Sequence, residues 1–232
     1  IFTVAEANGV GIEEIDEWVS PKKGIFHSLF QFDHLNLWNV ESEEGQIELT
    51  KIKEALTKWQ VATARDGNVG LVIENHDLVR SISRFGSPDK YLKESGKSIA
   101  LMYFMQKGVP FIFQGQEIGM LNADYESHLD FRDFPALYGY EERIKKGMTP
   151  EESLEILKNT TRDNSRTPMQ WDDSLHAGFS SGSPWMKVNE NYKWLNVKEQ
   201  VQDPDSLLNF YKKLIKIRKE TPALLYGDNK LL

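Results

Sequence analysis

Apolar residues follow two different spacings in the first half of the chain. Four short runs of β-branched, aromatic and other apolar residues predict strands. Helical spacing lies between these runs and is clearest from Thr50, a candidate helix cap, to Thr63. The four runs lie at residues 1–6, 26–32, 71–73 and 111–113. Alternating strands and helices predict repeated βα units around a parallel sheet.

Further helices and breaks complete this half of the chain. Residues 12–19 predict a short acidic helix, and residues 98–106 predict a helix with almost no polar face, which indicates burial. Glycine and proline residues predict a loop over 81–89 and a turn over 108–110, directly before the fourth strand.

The pattern changes after residue 120. Residues 121–201 are polar, aromatic and mostly without a regular period, and a long irregular insertion of this kind usually shapes a binding site. One helix stands out within it, because Thr149 and Glu152 form a capping box. An amphipathic helix over 205–219 follows, and a small β region is predicted to begin at residue 223.

Candidate chemistry lies where two of the predicted strands end. The first strand ends at Glu6, and the third is expected to end at Asp77, next to His76. Neighbours in a strand point to opposite faces, so His76 and Asp77 can face one ligand only if the backbone has begun to turn. Active-site residues of parallel α/β folds gather at such strand-to-loop junctions. Two carboxylates at strand ends indicate acid–base or glycosidic chemistry.

Structural roles explain the same residues equally well at this point. Glu6 could cap a turn, and His76 with Asp77 could form a buried ion pair or cap a loop, since such networks also occur in structural positions. The arginines at 162 and 166 could pair with Asp163 or Asp172, which is the commoner role of loop arginines.

Composition excludes several classes of function. The chain has 232 residues, of which 40% are hydrophobic and 27% charged, as in a globular protein with a sizeable core. A net charge of −7 argues against nucleic acid or an anionic membrane surface as partner. The chain has no cysteine, so disulfides and thiolate metal sites are excluded. No apolar run reaches the roughly 18 residues of a membrane helix, and no histidine has metal-ligand spacing.

Four segments together resemble the alpha-amylase superfamily of retaining glycosidases. Within it the chain is similar to the branch of oligo-1,6-glucosidases and alpha-glucosidases, including dextran glucosidases. The segments are TVAEANG at 3–9, ENHD at 74–77, FQGQEIG at 113–119 and RDNSRTPMQWD at 162–172, the last followed by HAGF at 176–179. Gln116 stands where relatives often carry Glu. The resemblance extends over essentially the whole chain.

The resemblance implies an architecture. Residues 1–220 are expected to form the second half, strands five to eight, of a (β/α)8 TIM barrel of the α/β class. A long insertion would follow the last strand, and residues 221–232 would begin a C-terminal β domain.

The resemblance also implies roles for six residues. Glu6 matches the general acid/base, and Asp77 matches the third carboxylate, which binds sugar hydroxyls and stabilises the positively charged transition state. His76 and Arg162 match residues that contact the same sugar, and Asn8 and Phe32 match residues that line the pocket. No metal ligand and no cofactor is expected.

The family's nucleophile is an Asp at the end of the fourth strand, and the resemblance puts it before Ile1. A retaining enzyme needs that Asp roughly 5 Å from its acid/base, so this segment alone is expected to be inactive without the N-terminal half of the barrel. The expected substrates are short alpha-glucosides such as isomalto-oligosaccharides. The expected linkage is alpha-1,6, and alpha-1,4 is left open as a second linkage. A cytoplasmic location is expected, with secretion left open.

Three alternatives remain open within the resemblance. The whole protein could be a trehalose-6-phosphate hydrolase or a sucrose isomerase of the same branch. It could also be a non-catalytic relative, such as the glucosidase-like subunit of an amino-acid transporter, which keeps the barrel without needing the acids.

Overall fold

The computed structural model describes residues 1–7, 9–35, 49–63 and 67–227. In that part of the chain four strands form one parallel sheet in chain order, as the sequence predicted. The strands are β1 (Val4–Glu6), β2 (Ser28–Phe30), β3 (Val69–Leu71) and β4 (Val109–Pro110). Glu6 pairs in register with Phe30, which in turn pairs with Gly70. The α/β class with a parallel sheet is therefore confirmed.

Helices connect and follow these strands. They are α1 (Ile15–Val19), α2 (Leu49–Ala62), α3 (Ser81–Phe85), α4 (Leu92–Phe104), α5 (Phe134–Lys145), α6 (Pro150–Thr160), α7 (Asp163–Arg166), α8 (Val197–Gln202), α9 (Leu207–Glu220) and α10 (Pro222–Tyr226). Short 3-10 helices lie at Ile12–Glu14, Asp33–Leu35, Gln116–Ile118, His128–Asp130, Leu175–Gly178 and Glu190–Lys193. None of the helices in the described residues has the length and apolar character needed to cross a membrane.

The chain divides into two compact units. The first comprises residues 1–73, 100–112 and 213–232, and the second comprises residues 74–99 and 113–212. The sheet lies in the first unit, where Leu29, Val69 and Leu71 are buried. In the second unit, one cluster of buried residues contains Ala123, Tyr125, Phe131, Tyr140 and Leu157, and another contains Ile118, Met120 and Met169.

Several predicted boundaries were wrong. β3 ends at Leu71, before the predicted end at Asp77, and the chain then turns. β4 covers Val109–Pro110, where a turn was predicted; residues 111–113 are not a strand, although Phe111 N–H still bonds to Leu71 O at 2.9 Å. Pro at an edge strand removes one ladder donor, which shortens the pairing.

Helices replace several predicted loops. Residues 81–85 form α3 where a loop was predicted, α4 begins six residues before its predicted start, and residues 121–201 contain α5, α7 and α8 besides the predicted helix α6. Thr50 lies inside α2 and does not cap it. The short helices α3, α7 and α8 have no room for a full apolar period, so periodicity could not detect them, whereas α5 was missed despite its 12 residues.

Two predicted helix signals were correct. Thr149 caps α6, with its hydroxyl accepting the Glu152 N–H and the Glu152 carboxylate accepting the Thr149 N–H. The amphipathic helix predicted over 205–219 is α9. The β region predicted from residue 223 was wrong where it can be checked, because Pro222–Tyr226 forms the helix α10; residues 228–232 lie outside the described residues.

An aromatic cluster covers one face of the sheet at Gly70. The rings of Phe30 and Phe111 meet edge to face, with centroids 4.7 Å apart, and Phe32 stacks on Phe30 at 6.1 Å. A Cβ added at Gly70 would lie 2.6 Å from the Phe30 ring. The ring of Phe30 therefore occupies the space that a side chain at residue 70 would need.

Gly70→Ala should destabilise the protein. We expect a loss of about 1–3 kcal/mol from overpacking against Phe30, which exceeds the gain of about 0.4–1 kcal/mol from restricting the unfolded chain. Urea unfolding measures the difference. Gly182→Ala is the control, because its Cβ would meet only Ser180 Oγ at 3.9 Å. Equal stability of the Gly70 variant and the wild type would contradict this account of the cluster.

Candidate active site

Asp77 lies in a tight turn that follows β3 in the chain. The side-chain oxygen of Asn75 accepts the N–H of Asp77 at 2.8 Å, and the carbonyl of Asn75 accepts the N–H of Leu78 at 3.4 Å. Asn favours such turns because its side chain can bond to the backbone two residues on. The turn brings the side chains of His76 and Asp77 together, which both need in order to face one ligand.

Three cationic or polar groups contact the carboxylate of Asp77. Oδ1 accepts from Arg162 Nη1 at 3.0 Å and from Arg166 Nη2 at 3.1 Å, and Oδ2 lies 3.2 Å from His76 Nε2. Arg166 Nε also donates to the carbonyl of His76 at 2.9 Å. The side chain of Asp77 still keeps 38% of its exposure. It is therefore fixed in direction and remains accessible to a ligand.

One helical turn supplies both arginines. Arg162 directly precedes α7 with helical backbone angles, and Arg166 is the last residue of α7. Residues four apart lie on the same helix face. Both guanidinium groups can therefore reach the same carboxylate oxygen.

A second carboxylate, Asp133, holds Arg162 from the other side. Its oxygens lie 3.1 and 3.2 Å from Arg162 Nε, and Oδ1 lies 2.5 Å from Nη2. The hydrogen bonds to Asp133 first, and to Asp77 second, raise the pKa of Arg162. Asp133 is buried, and its N–H donates to Asp163 Oδ2 at 3.0 Å. The buried Asp163 thus fixes the backbone that carries Asp133.

Glu6 and Phe32 belong to the first unit, at the carboxyl ends of β1 and β2. Glu6 is the last residue of β1 and is exposed, and Phe32 follows β2 by two residues. In the same unit the buried His34 donates through Nε2 to the carbonyl of Val72 at 2.8 Å. Asn8 lies outside the described residues.

The structure groups three of the six predicted site residues, Asp77, His76 and Arg162. The alternative pairing of the arginines with Asp163 or Asp172 was wrong, because Arg162 pairs with Asp77 and Asp133, and Arg166 pairs with Asp77. Sequence reasoning missed Asp133 and gave Arg166 no site role. The four-residue spacing of the two arginines was a usable signal, whereas Asp133 lies 29 residues before Arg162 without any motif. Among the described residues, no group of three or more His, Asp or Glu could hold a metal ion.

The loop that follows β3 in the chain carries the carboxylate of Asp77, and parallel α/β folds gather their functional residues in such loops. Comparison with known families identifies the class of protein. The family described as "Alpha amylase, catalytic domain" matches residues 1–227. The chain therefore belongs to the alpha-amylase catalytic-domain family.

Relatives of known name match all or nearly all of this chain. A Bacillus subtilis protein named "Probable oligo-1,6-glucosidase 3" is 45% identical over 232 residues, which are 100% of this chain and 42% of that protein. A trehalose-6-phosphate hydrolase variant from Bacillus licheniformis has a solved structure with a TM-score of 0.95 and 36% identity, covering 100% of this chain and 42% of that chain. An isomaltulose synthase from Klebsiella sp. LX3 has a TM-score of 0.89 and 32% identity, covering 97% and 41%. The chain thus spans less than half the length of each.

Asp133→Asn should loosen Arg162. The amide keeps the size of the carboxylate but removes its charge, and it turns an N–H₂ group towards the guanidinium donors. Hydrogen bonds to charged groups contribute about 1.5–3 kcal/mol, and we expect a loss in the lower part of that range because Arg162 is one-third exposed. Asp133 precedes α5 but its side chain makes no capping bond, so no helix cap is lost.

Urea unfolding of the whole protein measures this change. Asp205→Asn is the control, because it removes an exposed partner of Lys97, and solvent leaves such an ion pair with little effect on stability. An Asp133 variant no less stable than the Asp205 variant would show that the pairing of Asp133 with Arg162 is not a stabilising contact.

Proposed function

We propose that the whole protein is a retaining alpha-glucosidase that hydrolyses alpha-1,6 bonds of short oligosaccharides, with alpha-1,4 bonds as further substrates. The observation that carries this proposal is the carboxylate of Asp77, held by His76, Arg162 and Arg166. These residues come from two segments that resemble the oligo-1,6-glucosidase branch. The 45% identity to a relative of that name supports the same substrate class.

The proposal includes the architecture implied by the family. The chain would be the second half of a (β/α)8 barrel, with residues 121–201 as an insertion and residues 221–232 as the start of a β domain. Four parallel strands in chain order, with helices between them, are what half of such a barrel requires. The share of about 42% that the chain covers in its relatives agrees with this size.

Glu6 is the proposed general acid/base. It ends a parallel strand at the edge where barrel enzymes place their catalytic groups, and its exposure leaves it accessible. In the first step the carboxylic acid protonates the leaving glycosidic oxygen while a nucleophile attacks the anomeric carbon. In the second step the carboxylate removes a proton from the water that releases the sugar.

Asp77 is the proposed third carboxylate, and His76 and Arg162 are the proposed sugar contacts. Positive charge develops on the sugar ring in the transition state, so a carboxylate fixed beforehand stabilises it without reorganisation. In the contacts to Asp77 and Asp133, Arg162 uses Nε and one N–H on each terminal nitrogen. One further N–H on each of those nitrogens can bond to a sugar hydroxyl.

The remaining roles follow from the family. Asn8 and Phe32 would line the pocket, and Phe32 offers a ring face beside β2. The nucleophile is an Asp of the fourth barrel strand in this proposal, supplied by the N-terminal half of the barrel. Its carboxyl group would lie about 5–5.5 Å from that of Glu6. The chain without that half would not complete the reaction.

Glu6→Gln tests the acid role with two substrates. An amide cannot protonate the leaving oxygen, so hydrolysis of isomaltose by the whole protein should fall at least about 100-fold. A 4-nitrophenyl alpha-glucoside has a leaving group that departs without a proton, so the first-step burst of 4-nitrophenol should survive. Glu54→Gln, on the exposed face of α2, is the control. Near-normal turnover of isomaltose by the Glu6 variant would overturn the assignment.

A second candidate is a trehalose-6-phosphate hydrolase or a sucrose isomerase. It is favoured by the TM-scores of 0.95 and 0.89 to solved structures with such names. Initial rates on isomaltose, trehalose 6-phosphate and sucrose separate the possibilities. We expect isomaltose to give the highest kcat/KM. A strong preference for the phosphorylated disaccharide, or an isomeric disaccharide formed from sucrose, would select the second candidate.

A further inference from the structure

Arg80 is a fully buried arginine three residues after Asp77, with 0% exposure. Each of its five N–H groups has a partner. Nη1 donates to the carbonyl of Gln114 at 2.7 Å and to Glu74 Oε2 at 3.2 Å, and Nη2 lies 3.8 Å from Met120 Sδ. Its two other contacts are backbone carbonyls of α7. A guanidinium group is suited to this arrangement because its donors form a rigid, planar fork.

Glu74 closes the loop that carries Asp77. Its Oε1 accepts the N–H of Ser81 at 2.7 Å and the Ser81 hydroxyl at 2.6 Å, while Oε2 accepts from Arg80. Residues 74 and 81 are therefore joined through one buried carboxylate. The turn with His76 and Asp77 lies between these two fixed ends.

The same guanidinium reaches the helix that carries the two arginines. Arg80 Nε donates to the carbonyl of Asn164 at 3.2 Å, and Nη2 donates to the carbonyl of Ser165 at 3.4 Å. Both carbonyls belong to α7, between Arg162 and Arg166. Arg80 thus connects the loop of Asp77 with the helix whose arginines hold Asp77.

We propose that Arg80 is a positioning residue, which fixes the loop of Asp77 relative to Arg162 and Arg166 through Glu74 and the carbonyls of α7. It does not touch the substrate. This inference rests on the proposed role of Asp77 in the reaction. Small displacements of a transition-state contact reduce rates strongly, by about 100-fold for 1 Å.

Arg80→Lys in the whole protein tests this proposal. An ammonium group keeps the charge but has three donors without a planar fork, so it cannot hold both segments. We expect kcat on isomaltose to fall about 10- to 100-fold with KM changed less than about threefold, because Asp77 acts chiefly in the transition state. Rates are expressed per folded molecule, with the folded fraction taken from the unfolding curve.

Arg218→Lys is the matched control. Arg218 is also buried and donates to the carbonyls of Phe104, Gln106, Gly108 and Leu224, none of which belongs to the proposed site. We expect it to lower the unfolding midpoint while kcat stays within about twofold of the wild type. If kcat fell equally in the two lysine variants, Arg80 would have no more effect on the site than any other buried arginine, and the proposal would be overturned.

Hydrogen exchange gives a readout that does not need turnover. Peptides covering 74–81 and 162–166 should exchange at least about tenfold faster in the Arg80 variant, with no such change in the Arg218 variant. Unchanged exchange in both peptides would overturn the proposal. A wild type that hydrolyses no glucoside would instead contradict the proposed function, and the exchange experiment would still decide whether Arg80 connects the two segments.

Glu74→Gln is a milder variant if Arg80→Lys does not fold. The amide oxygen can still accept from Ser81, but the charge that balances Arg80 is gone. The same peptides should exchange faster and kcat should fall, by a smaller factor than in the lysine variant. Wild-type values of both would count against the proposal.

Discussion

The carboxylate of Asp77 shared by two arginines is the contact on which the candidate site depends. Two guanidinium groups on one helix face repel each other unless anions lie between and beside them. Asp77 lies between Arg162 and Arg166, and Asp133 lies beside Arg162. The four charges alternate, so each cation has a neighbouring anion. Removing one member leaves the others with an unbalanced neighbour.

The four charged side chains differ in burial. The side chains of Arg162, Arg166 and Asp77 are each about one-third exposed, where solvent weakens an ion pair. Asp133 is almost fully buried, so its hydrogen bonds fix Arg162 more firmly than the exposed contacts do. Asp133 therefore holds the group of four charges in place from the buried side, and Asp77 remains accessible to solvent.

Helix α5 lacks a side-chain cap at its N-terminus because of this arrangement. Asp133 occupies the N-cap position, where a carboxylate usually accepts a backbone N–H and contributes about 1 kcal/mol. Here the side chain makes no cap bond, because its oxygens accept from Arg162. Thr149 at the start of α6 does cap its helix in the usual way. Asp133 thus orients Arg162 instead of capping α5, so this part of the site is oriented before a ligand arrives.

Local signals predicted the position of Asp77 and could not predict what holds it. The apolar run before Asn75 and the adjacency of His76 and Asp77 predicted a turn after a strand, and the structure has one, although β3 ends earlier, at Leu71. Asp133 and the carbonyls that bind Arg80 lie tens of residues away in sequence, and only folding brings them to their partners. The same limit explains α3 and α7, whose one or two turns are too short for a period but are fixed by Glu74 and Asp77. Apolar periods and capping motifs are properties of one segment, whereas the orientation of the Asp77 carboxylate is a property of contacts between segments.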